Sequence, residues 1–418
     1  MTENPIAIFQ NVMLSLQKNY GKEHLAMYRE NISSLETLVK NHPRSIDFKI
    51  ALIRYYVAFG QNELAFSLIN SIDENTQHRD ILQCKAWSYY FEGNEKKSSD
   101  MWQFITLVLF SNSILREPST LQFKKDTKKK LLSEGMIMHF ACCYNEVNQL
   151  PFFLDHYRKL GVDVFFIVDN NSNDGSFEYL CKQDDVCVFT TTASFKGAGF
   201  GMAWLNYLII KYGKNNWIVH TDIDELLIYK DFETSSLLSL TTSMDNNNEK
   251  IMQGFMLDMY PNDLNNLAID PNVPILEQHN CFYNNYLFLG NIYPPYREVR
   301  GGIFSVLLNG LYTVLNKTPL FKGGHGVHLA CSSHVITPPN PLRLSNKTCV
   351  LMHFKLSENL INKAACEITR QQHAANSALY KGYYELMQKH DMRIDDKSYP
   401  FGTQYNNSKQ LVDLGLIN

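Results

Sequence analysis

The chain has 418 residues, of which 45% are hydrophobic and 19% are charged, with a net charge of -3. This length predicts two or three domains, and the composition is that of a globular protein with a sizeable core. The slight negative charge gives no reason to expect nucleic-acid binding. Nine cysteines, an odd number without C-x-x-C spacing, argue against a zinc site or a disulfide framework and favour a reducing cytoplasm.

The N-terminal region, residues 1–115, is predicted to be an all-α domain. Apolar residues recur at helical spacing in 51–72 and in 86–108. Each segment carries a Tyr-Tyr pair followed by a glycine, Gly60 or Gly93, at close to the period of tetratricopeptide (TPR) helix pairs. We therefore expect a TPR-like domain, with an unrelated helical bundle as the alternative. Such a domain would dock a protein partner, hold the chain near a membrane, or mediate a homo-oligomer.

A polar segment, residues 116–134, is predicted to be the linker between domains. It contains Pro118 and a basic run from Lys124 to Lys130. The basic run is expected to be a solvated face, and attraction to anionic lipid is the alternative. The first residues of the chain lack the pattern of a secretory signal, and no apolar run is long enough to span a membrane. We therefore expect a cytoplasmic protein, with peripheral contact to the inner membrane face as an extension of that expectation.

From residue 135 the pattern changes to alternating strands and helices. The predicted strands are 136–143, 162–169, 186–191 and 217–224, and the predicted helices between them are 148–160, 176–182 and 200–212. This rhythm predicts an α/β fold with a mainly parallel sheet covered on both faces. Ligands bind such sheets at the carboxyl ends of the strands. The polar motifs fall at those ends: Tyr144-Asn145-Glu146, Asp169 to Asp174, and Asp222 to Asp224.

The acids of HTDIDELLIY (220–229) follow a buried strand and need partners. Asp222 and Asp224 are two positions apart, so their side chains point the same way on an extended chain. Two converging carboxylates repel each other unless a cation such as Mg²⁺ or Mn²⁺ lies between them. Glu225 points the other way and is expected to pair with a basic group. A solvated acidic turn is the alternative interpretation.

A second polar pair lies near the C-terminus, in LMHFKLSENL (351–360). A short apolar strand presents His353 and Lys355 on one side, two positions apart. Imidazole is a suitable ligand for Mn²⁺, and a lysine ammonium group suits a phosphate. The alternative for His353 is a structural role on its strand. Residues 357–418 beyond it are expected to form a helix and a tail that pack on the catalytic domain.

Together these segments resemble a known family. The series ACCYNEVNQLPFFLDHYRKLGVDVFFIVDNNSNDGS, WIVHTDIDELLIY and HFK resembles the GT-A glycosyltransferases, most closely a family-2-like group with the same order of motifs. The resemblance covers residues 135–356. It implies a GT-A, Rossmann-like fold that binds a nucleotide-diphosphate sugar, most often a UDP-sugar, with Mn²⁺ or Mg²⁺.

The resemblance also implies roles for individual residues. Asp224 would be the direct metal ligand, His353 a further metal ligand, and Asp222 would reach either the metal or the ribose. Apart from the resemblance, Lys196 follows the third predicted strand in a glycine-rich loop, where it would touch the nucleotide or be solvated. The candidate nucleotide-binding residues are therefore Tyr144, Asn145, Glu146, Asp169, Asn170, Lys196, Asp222 and Lys355.

An inverting transferase needs a carboxylate that takes the proton of the acceptor hydroxyl. Two acids are candidates: Asp258, at the end of the predicted strand after the metal motif, and Glu298, in PPYREVRGG. We prefer Asp258. The Glu-Asp pair usual in the family downstream of the metal motif is not recognisable in this chain.

The sequence thus predicts a metal-dependent glycosyltransferase that moves a sugar to a hydroxyl of a saccharide or lipid-linked saccharide. By analogy, its setting would be bacterial capsule or lipopolysaccharide synthesis. Two alternatives belong to other classes. One is a non-catalytic TPR-like interaction protein with a degenerate nucleotide-binding domain. The other is a nucleotidyltransferase, although the loop after the first strand, YNEVNQL, lacks the glycines and basic residues that such an enzyme would need.

Overall fold

The chain divides into two compact units, and each consists of two stretches of sequence. Unit 1 comprises Met1–Ser111 and Asn285–Leu315, and unit 2 comprises Asn112–Asn284 and Asn316–Asn418. The computed structural model describes residues 25–58, 61–73, 81–82, 85–86, 88–89, 94, 96–98, 100–101, 120–127, 133–263, 266–290, 297–308, 314–324, 327–329, 334, 336–337, 344–357, 360–389 and 402–418.

The described part of unit 1 includes the helices α1 (Leu25–Asn41), α2 (Ile46–Ala58) and α3 (Asn62–Asn70). Their apolar faces share one core, in which Leu35, Tyr55 and Ala65 are fully buried. Asn31 donates a hydrogen bond of 3.1 Å to the hydroxyl of Tyr55 between α1 and α2. The predicted helical character is therefore confirmed for these residues. Gly60 and Gly93, on which the TPR-like repeat depends, lie outside the described residues.

The first half of unit 2 follows the predicted alternation closely. Its elements are β1 (Gln122–Lys125), β2 (Ile137–Cys143), α4 (Leu150–Leu160), β3 (Val164–Asp169), α5 (Ser176–Cys181), β4 (Val186–Thr190), α6 (Met202–Tyr212) and β5 (Trp217–His220). All six residues of β3 are buried, as expected for a strand covered on both faces. Pro151 stands near the start of α4, where its missing N–H costs nothing, and Gly161 ends that helix in the left-handed conformation.

The second half completes the sheet and adds a C-terminal cover. Its elements are β6 (Glu225–Tyr229), α7 (Leu237–Asn246), β7 (Ile251–Tyr260), α8 (Ile275–Gln278) and β8 (Cys281–Phe282). The chain then contributes β9 (Tyr286–Gly290), β10 (Arg297–Gly301) and α9 (Ile303–Leu307) to unit 1. It returns to unit 2 with β11 (Asn316–Lys322), β12 (His328–Leu329), β13 (Ile336–Thr337), β14 (Leu344–His353), α10 (Leu360–Arg370), α11 (Ala374–Lys389), β15 (Thr403–Gln404) and α12 (Ser408–Asp413).

The main sheet has the strand order β1-β4-β3-β2-β5-β11-β7-β14-β6. Strands β4, β3, β2 and β5 are parallel, and so are β7 and β14. The other neighbours along this path, β1 to β4, β5 to β11, β11 to β7 and β14 to β6, are antiparallel. The α/β class is confirmed, but the expectation of a mainly parallel sheet is wrong. The parallel βαβ pattern ends at β5, and β11 pairs with β5 in the antiparallel direction.

The stretch that the sequence predicts as one strand, 217–224, is divided in the structure. β5 ends at His220, residues 221–224 form a turn, and β6 begins at Glu225. β5 pairs with β2 and β11, whereas β6 pairs with β14 at the end of the sheet. The turn that carries the acids therefore connects two strands, β5 and β6, that occupy separate positions in the sheet.

Two predicted boundaries differ from the observed units. Within the predicted linker, Gln122–Lys125 form strand β1 at the edge of the sheet, where Lys125 donates a hydrogen bond of 2.8 Å to the carbonyl of Val186. Residues 116–119 and 128–132 lie outside the described part. Residues 285–315, predicted to belong to the catalytic domain, are grouped with the helices of unit 1.

The C-terminal segment contacts the rest of unit 2 at several points. β15 pairs with β8, and the amide of Asn418 donates to Thr348 at 3.1 Å. The amide of Ser408 donates to the carboxylate of Glu233 at 2.6 Å. In the described part of the chain, none of the helices combines the length and apolarity that crossing a membrane would require.

Candidate functional site

A cavity of about 300 Å³ opens at the carboxyl ends of the parallel strands. Its walls come from the residues that follow β2, from Asp224 after β5, from Lys355 after β14, and from Lys363 on α10. The sequence motifs YNE, DxD and HFK thus supply side chains to one space. Of the predicted site residues, those that line it are Tyr144, Asn145, Glu146, Asp224 and Lys355.

The loop after β2 is held in shape by the loop after β3. Asn145 adopts the left-handed conformation, with φ of 54°. The amide of Asn145 donates to Ser172 at 3.0 Å, and the amide of Val147 donates to Asp174 at 3.0 Å. Asp174 also accepts the amide of Ser176 at 2.9 Å. The hydrogen bonds to the NNSNDGS turn therefore fix the position of the YNE loop at the cavity wall.

Asp169 and Asn170 lie beneath this loop and do not line the cavity. Asp169 is 2% exposed, and burial raises the pKa of its carboxyl group. One of its oxygens accepts the amide of Ser172 at 3.1 Å, and among the described atoms the other has no hydrogen-bond partner. The side-chain amide of Asn170 donates to the carbonyls of Thr191 and Ala193, both at 3.0 Å. Asn170 is therefore occupied in joining two strand-end loops.

Asp222 and Glu225 share one buried ammonium group. Lys317, on β11 and 3% exposed, lies 2.8 Å from Asp222 Oδ2 and 2.9 Å from Glu225 Oε1. The expectation that Glu225 pairs with a basic group is thus confirmed. Burial opposes ionisation of Asp222, but Lys317 outweighs it and holds the pKa of Asp222 well below its ordinary value. Asp222 is therefore an anion whose position is set by a lysine.

Asp224 faces the other way, toward His353. Its carboxylate oxygen Oδ2 lies 3.7 Å from Nε2 of His353, and its backbone carbonyl accepts the amide of Phe354 at 2.9 Å. Burial alone would raise the pKa of Asp224, yet the Lys363 and His353 cations bring it down to about 2. The turn between β5 and β6 and the end of β14 are therefore joined at the cavity by both backbone and side chain.

The other ring nitrogen of His353 contacts Asp258, the residue that the sequence predicts as the base. Nδ1 of His353 lies 2.7 Å from Oδ1 of Asp258, which is 2% exposed. At this distance the ring nitrogen and the carboxylate oxygen form a hydrogen bond. Burial lowers the pKa of His353, but Asp224 and Asp258 raise it by more. Asp258 does not line the cavity.

Two lysines bring positive charge to the cavity. Lys355 donates to the hydroxyl of Tyr380 at 3.0 Å and lies 4.8 Å from the centre of that ring. Lys363 forms an ion pair with Glu146, and its Nζ is 3.8 Å from Asp224 Oδ2. Burial raises the pKa of Glu146 to about 7, although Lys363 opposes the rise.

The end of α10 covers the YNE loop. The guanidinium group of Arg370 stacks on the ring of Tyr144, 3.4 Å from its centroid. It also donates to Asn170 at 3.1 Å and to Glu367 at 2.7 Å. Arg370 thus joins α10 to the loops after β2 and β3.

Two predicted residues lie apart from this cluster. Lys196 is exposed and does not line the cavity, and its amide donates to the side chain of Gln372 at 3.2 Å. Glu298 belongs to unit 1, where its backbone pairs with Leu289 in the β9–β10 hairpin. The side chain of Glu298 lies outside the described part of the structure.

The predicted metal ligands fit a divalent cation in part. Asp224 and His353 face each other at 3.7 Å, too far for a hydrogen bond, and both are nearly buried. Asp222 is instead held by Lys317. In the described part of the chain no group of three His, Cys, Asp or Glu side chains is arranged to hold a metal. A cation at this point would therefore rely on Asp224 and His353 and on oxygens from a ligand or water.

Sequence reasoning missed several charged residues of the site. Lys363, Glu367 and Arg370 are spaced along one face of α10, directly after the HFK motif. Charged residues at this helical spacing on a helix that follows a site motif are a detectable signal. Lys317 carries no comparable signal, because its partners are far away in sequence.

None of the known protein-family models matches the chain, and a comparison with curated proteins also finds no match.

Proposed function

We propose that unit 2 is a metal-dependent glycosyltransferase that uses a nucleotide-diphosphate sugar. The observation that carries the proposal is the convergence of Glu146, Asp224 and Lys355 on one cavity, from stretches of sequence far apart. The cavity combines carboxylates with partly buried ammonium groups, which suits a ligand that is both anionic and rich in hydroxyl groups. Its position at the carboxyl ends of parallel strands is the usual one for nucleotide ligands.

The phosphates of the donor would be bound by Lys355 and Lys363. In the described part of the chain, Lys355 forms no ion pair with a carboxylate, and its hydrogen-bond partner is the hydroxyl of Tyr380. A partly buried ammonium group that is not paired with a carboxylate is well placed to bind a phosphate. Lys363 is already paired with Glu146 and would share its charge with the incoming phosphate.

The nucleoside would lie along the YNE loop. Tyr144 and Arg370 present a stacked pair of planar groups at its edge, and such surfaces bind bases and sugars well. Asp222, about half exposed and kept ionised by Lys317, is suited to accept hydrogen bonds from ribose hydroxyl groups.

Asp224 and His353 would hold the Mn²⁺ or Mg²⁺ ion. The bound ion would act as a Lewis acid that neutralises the diphosphate leaving group. Lys363 lowers the pKa of Asp224, so that its carboxylate is ionised and ready to bind a cation at neutral pH.

The base of an inverting reaction is the remaining role at the site. Asp258 is 2% exposed and bonded to His353, which favours a role behind the histidine over contact with an acceptor hydroxyl. Inversion, and Glu298 as its base, stay predictions.

The biological setting proposed here is the cytoplasm, with a saccharide or lipid-linked saccharide as acceptor. Every cysteine whose side chain the structure describes is free, as suits a reducing compartment: Cys142, Cys143, Cys181, Cys187, Cys281, Cys349 and Cys366. A lipid-linked acceptor of capsule or lipopolysaccharide synthesis would bring the protein to the inner membrane face.

A thermal-shift panel of nucleotide sugars with and without Mn²⁺ tests the proposal. A UDP-sugar at about 100 times its Kd should stabilise the native state by about 2.7 kcal/mol, and the shift should require Mn²⁺. Asp224→Ala should lose the shift. Asp155→Ala is the matched control, because this carboxylate is exposed on α4, where it pairs with Lys159.

Two outcomes would contradict the proposal. One is the absence of any shift across the panel, together with no hydrolysis of the donor, which is the behaviour of a non-catalytic interaction protein. The other is an undiminished shift in Asp224→Ala, which would remove the metal assignment.

A further inference from the structure

Asp258 is a buried carboxylate that the proposed donor site does not use. It ends the apolar part of β7 and is 2% exposed. Its Oδ1 bonds to His353, and among the described atoms its Oδ2 is buried without a hydrogen-bond partner. Burying an ionised carboxylate is costly unless a donor or cation faces it. In the described part of the chain, the group that does so is the His353 ring.

The pairing of two strands sets this contact. β7 and β14 run parallel, and His353 lies opposite Asp258 in their register. On its other side β14 pairs with β6, where His353 lies opposite Glu225. The ring is therefore held at the end of a strand that has neighbours on both sides. Its Nδ1 faces Asp258 at 2.7 Å, and its Nε2 faces Asp224 at 3.7 Å.

We infer that Asp258 is a positioning residue that accepts the Nδ1–H of His353 and leaves Nε2 directed at Asp224 as a ligand for a divalent cation. Histidines that bind metals commonly donate their other ring N–H to a carboxylate, which orients the ring and makes the ligand nitrogen more basic. The inference rests on the metal site of the proposed function and replaces the predicted role of Asp258 as base.

The two roles make opposite predictions. A base acts on the acceptor, so its removal leaves Mn²⁺ affinity intact. A residue that orients His353 acts on the cation, so its removal weakens Mn²⁺ binding with or without an acceptor. Losing such a partner typically weakens metal binding by about 10- to 100-fold.

The first experiment determines the protonation of the His353 ring nitrogens in the absence of metal and nucleotide. Long-range ¹H–¹⁵N spectra of the histidine rings, at a pH where the His353 ring is neutral, report which nitrogen carries the proton. The His353 signals are assigned by their loss in His353→Gln. The wild-type ring should carry its proton on Nδ1, and Asp258→Ala should move a large share of it to Nε2. A ring in the wild type with its proton on Nε2 would overturn the inference.

The second experiment measures Mn²⁺ binding by electron paramagnetic resonance, in the absence and presence of UDP. Asp258→Ala should bind Mn²⁺ about 10- to 100-fold more weakly than the wild type, and Asp258→Asn, which keeps an acceptor oxygen, should lose less. In a His353→Gln background, Asp258→Ala should have no further effect, because both act through one ligand. Asp245→Asn is the control. This carboxylate bonds to Trp217 at the opposite end of β5, and its loss should leave Mn²⁺ affinity unchanged.

The outcomes separate the inference from the proposed function. If Asp258→Ala weakens Mn²⁺ binding but no nucleotide sugar binds, the inference stands and the glycosyltransferase proposal falls. If a UDP-sugar binds with Mn²⁺ and Asp258→Ala keeps wild-type Mn²⁺ affinity, the proposed function stands and the inference falls. A wild-type protein that binds no Mn²⁺ in either condition overturns the inference.

Discussion

Lys317 is the shared counter-ion of two carboxylates at the site. Its ammonium group is 3% exposed and lies within 3 Å of both Asp222 and Glu225, and Glu225 is itself fully buried. The charges of Lys317 and Glu225 are thus held together away from water, and the half-exposed carboxylate of Asp222 completes the group. Such a group is stable only while it is complete, because the removal of one member leaves an uncompensated charge.

Replacement of Lys317 should therefore be strongly destabilising. We expect Lys317→Met to lower the free energy of unfolding by about 3–5 kcal/mol, because Glu225 is left buried and unpaired. Urea-induced unfolding followed by circular dichroism measures the change.

The control is Lys159→Met, which removes an exposed lysine from a helical ion pair with Asp155 and should cost about 0.5 kcal/mol or less. The double variant Lys317→Met, Glu225→Gln should recover part of the lost stability. A loss of under about 1 kcal/mol for Lys317→Met would contradict the assignment of Lys317 as the counter-ion.

The corresponding prediction for ligand binding concerns Lys363. Lys363→Gln removes the ammonium group that lies between Glu146 and Asp224. Under the proposed function, UDP should then bind at least about tenfold more weakly, a difference of about 1.4 kcal/mol measured by calorimetry. Lys381→Gln is a suitable control, since that lysine is exposed on α11. Equal affinity in both variants would remove Lys363 from the donor site.

At the scale of elements, the contact between β7 and β14 depends on a glycine. A Cβ atom on Gly254 would lie 2.8 Å from the backbone carbonyl oxygen of Cys349 and 2.6 Å from its Sγ. Both contacts are too close for real atoms, and the carbonyl cannot move without shifting the strand. The same strand pair sets His353 beside Asp258.

Gly254→Ala should therefore destabilise unit 2 by about 1–3 kcal/mol, the usual cost of overpacking a core. Thermal unfolding monitored by calorimetry tests this. Adding Cys349→Ala should restore only part of the loss, because the carbonyl contact remains. Full restoration would show that the sulfur atom alone creates the conflict.

Strand β2, which lies between β3 and β5 in the sheet, carries a pH-sensitive residue, His139. It is fully buried against Phe153 and Tyr157, and burial, followed by the neighbouring His220, lowers its pKa well below the ordinary value. The unfolded chain takes up a proton at this residue below about pH 6.5, whereas the folded chain does not. Because the unfolded state then binds more protons, stability must fall as the pH drops below that value.

His139→Phe should accordingly flatten the fall of stability between about pH 6.5 and pH 4.5 relative to the wild type. The measurement is urea unfolding at a series of pH values, compared as slopes. The absolute stability of the variant is not the readout, because the hydrogen bond of 3.1 Å between His139 and Thr221 is also lost. An unchanged slope would show that another group governs the acid sensitivity.

At the scale of the whole molecule, the two units are interleaved in sequence. Residues 285–315 belong to the same unit as the N-terminal helices, and β9 contacts α2. Val299, Ile303 and Phe304 of this segment are buried. A cut at the boundary predicted from the sequence separates this segment from its helices.

A chain that starts at residue 112 should therefore expose apolar surface. We expect it to bind a hydrophobic dye more strongly than the full chain and to aggregate more readily. Replacing 285–315 in the shortened chain by a Gly-Ser linker should reverse both effects. A shortened chain that keeps the full chain's melting temperature without dye binding would show that the segment does not need the helices.

The local pattern of the chain was sufficient to predict the elements that build the site. Strand β3 and helix α4 were predicted to within a few residues, since buried strands and amphipathic helices leave apolar periods that are visible in sequence. The same alternation placed the YNE and DxD motifs at strand ends, where the structure has them. His353 and Lys355 were predicted to share one strand, but β14 ends at His353, and Lys355 follows it. The sequence also predicted that Glu225 would need a basic partner.

What the sequence by itself determined was therefore the class of fold and the identity of the polar strand ends. The tertiary structure alone decided the order and direction of the strands, the ion pair of Lys317 with Asp222, and the contact of Asp258 with His353. These depend on which strands become neighbours and in what register, and pairs of residues almost a hundred positions apart leave no local periodicity. The energy that selects them comes from completing buried hydrogen bonds and charge pairs in the folded sheet, so it exists only once the chain has folded.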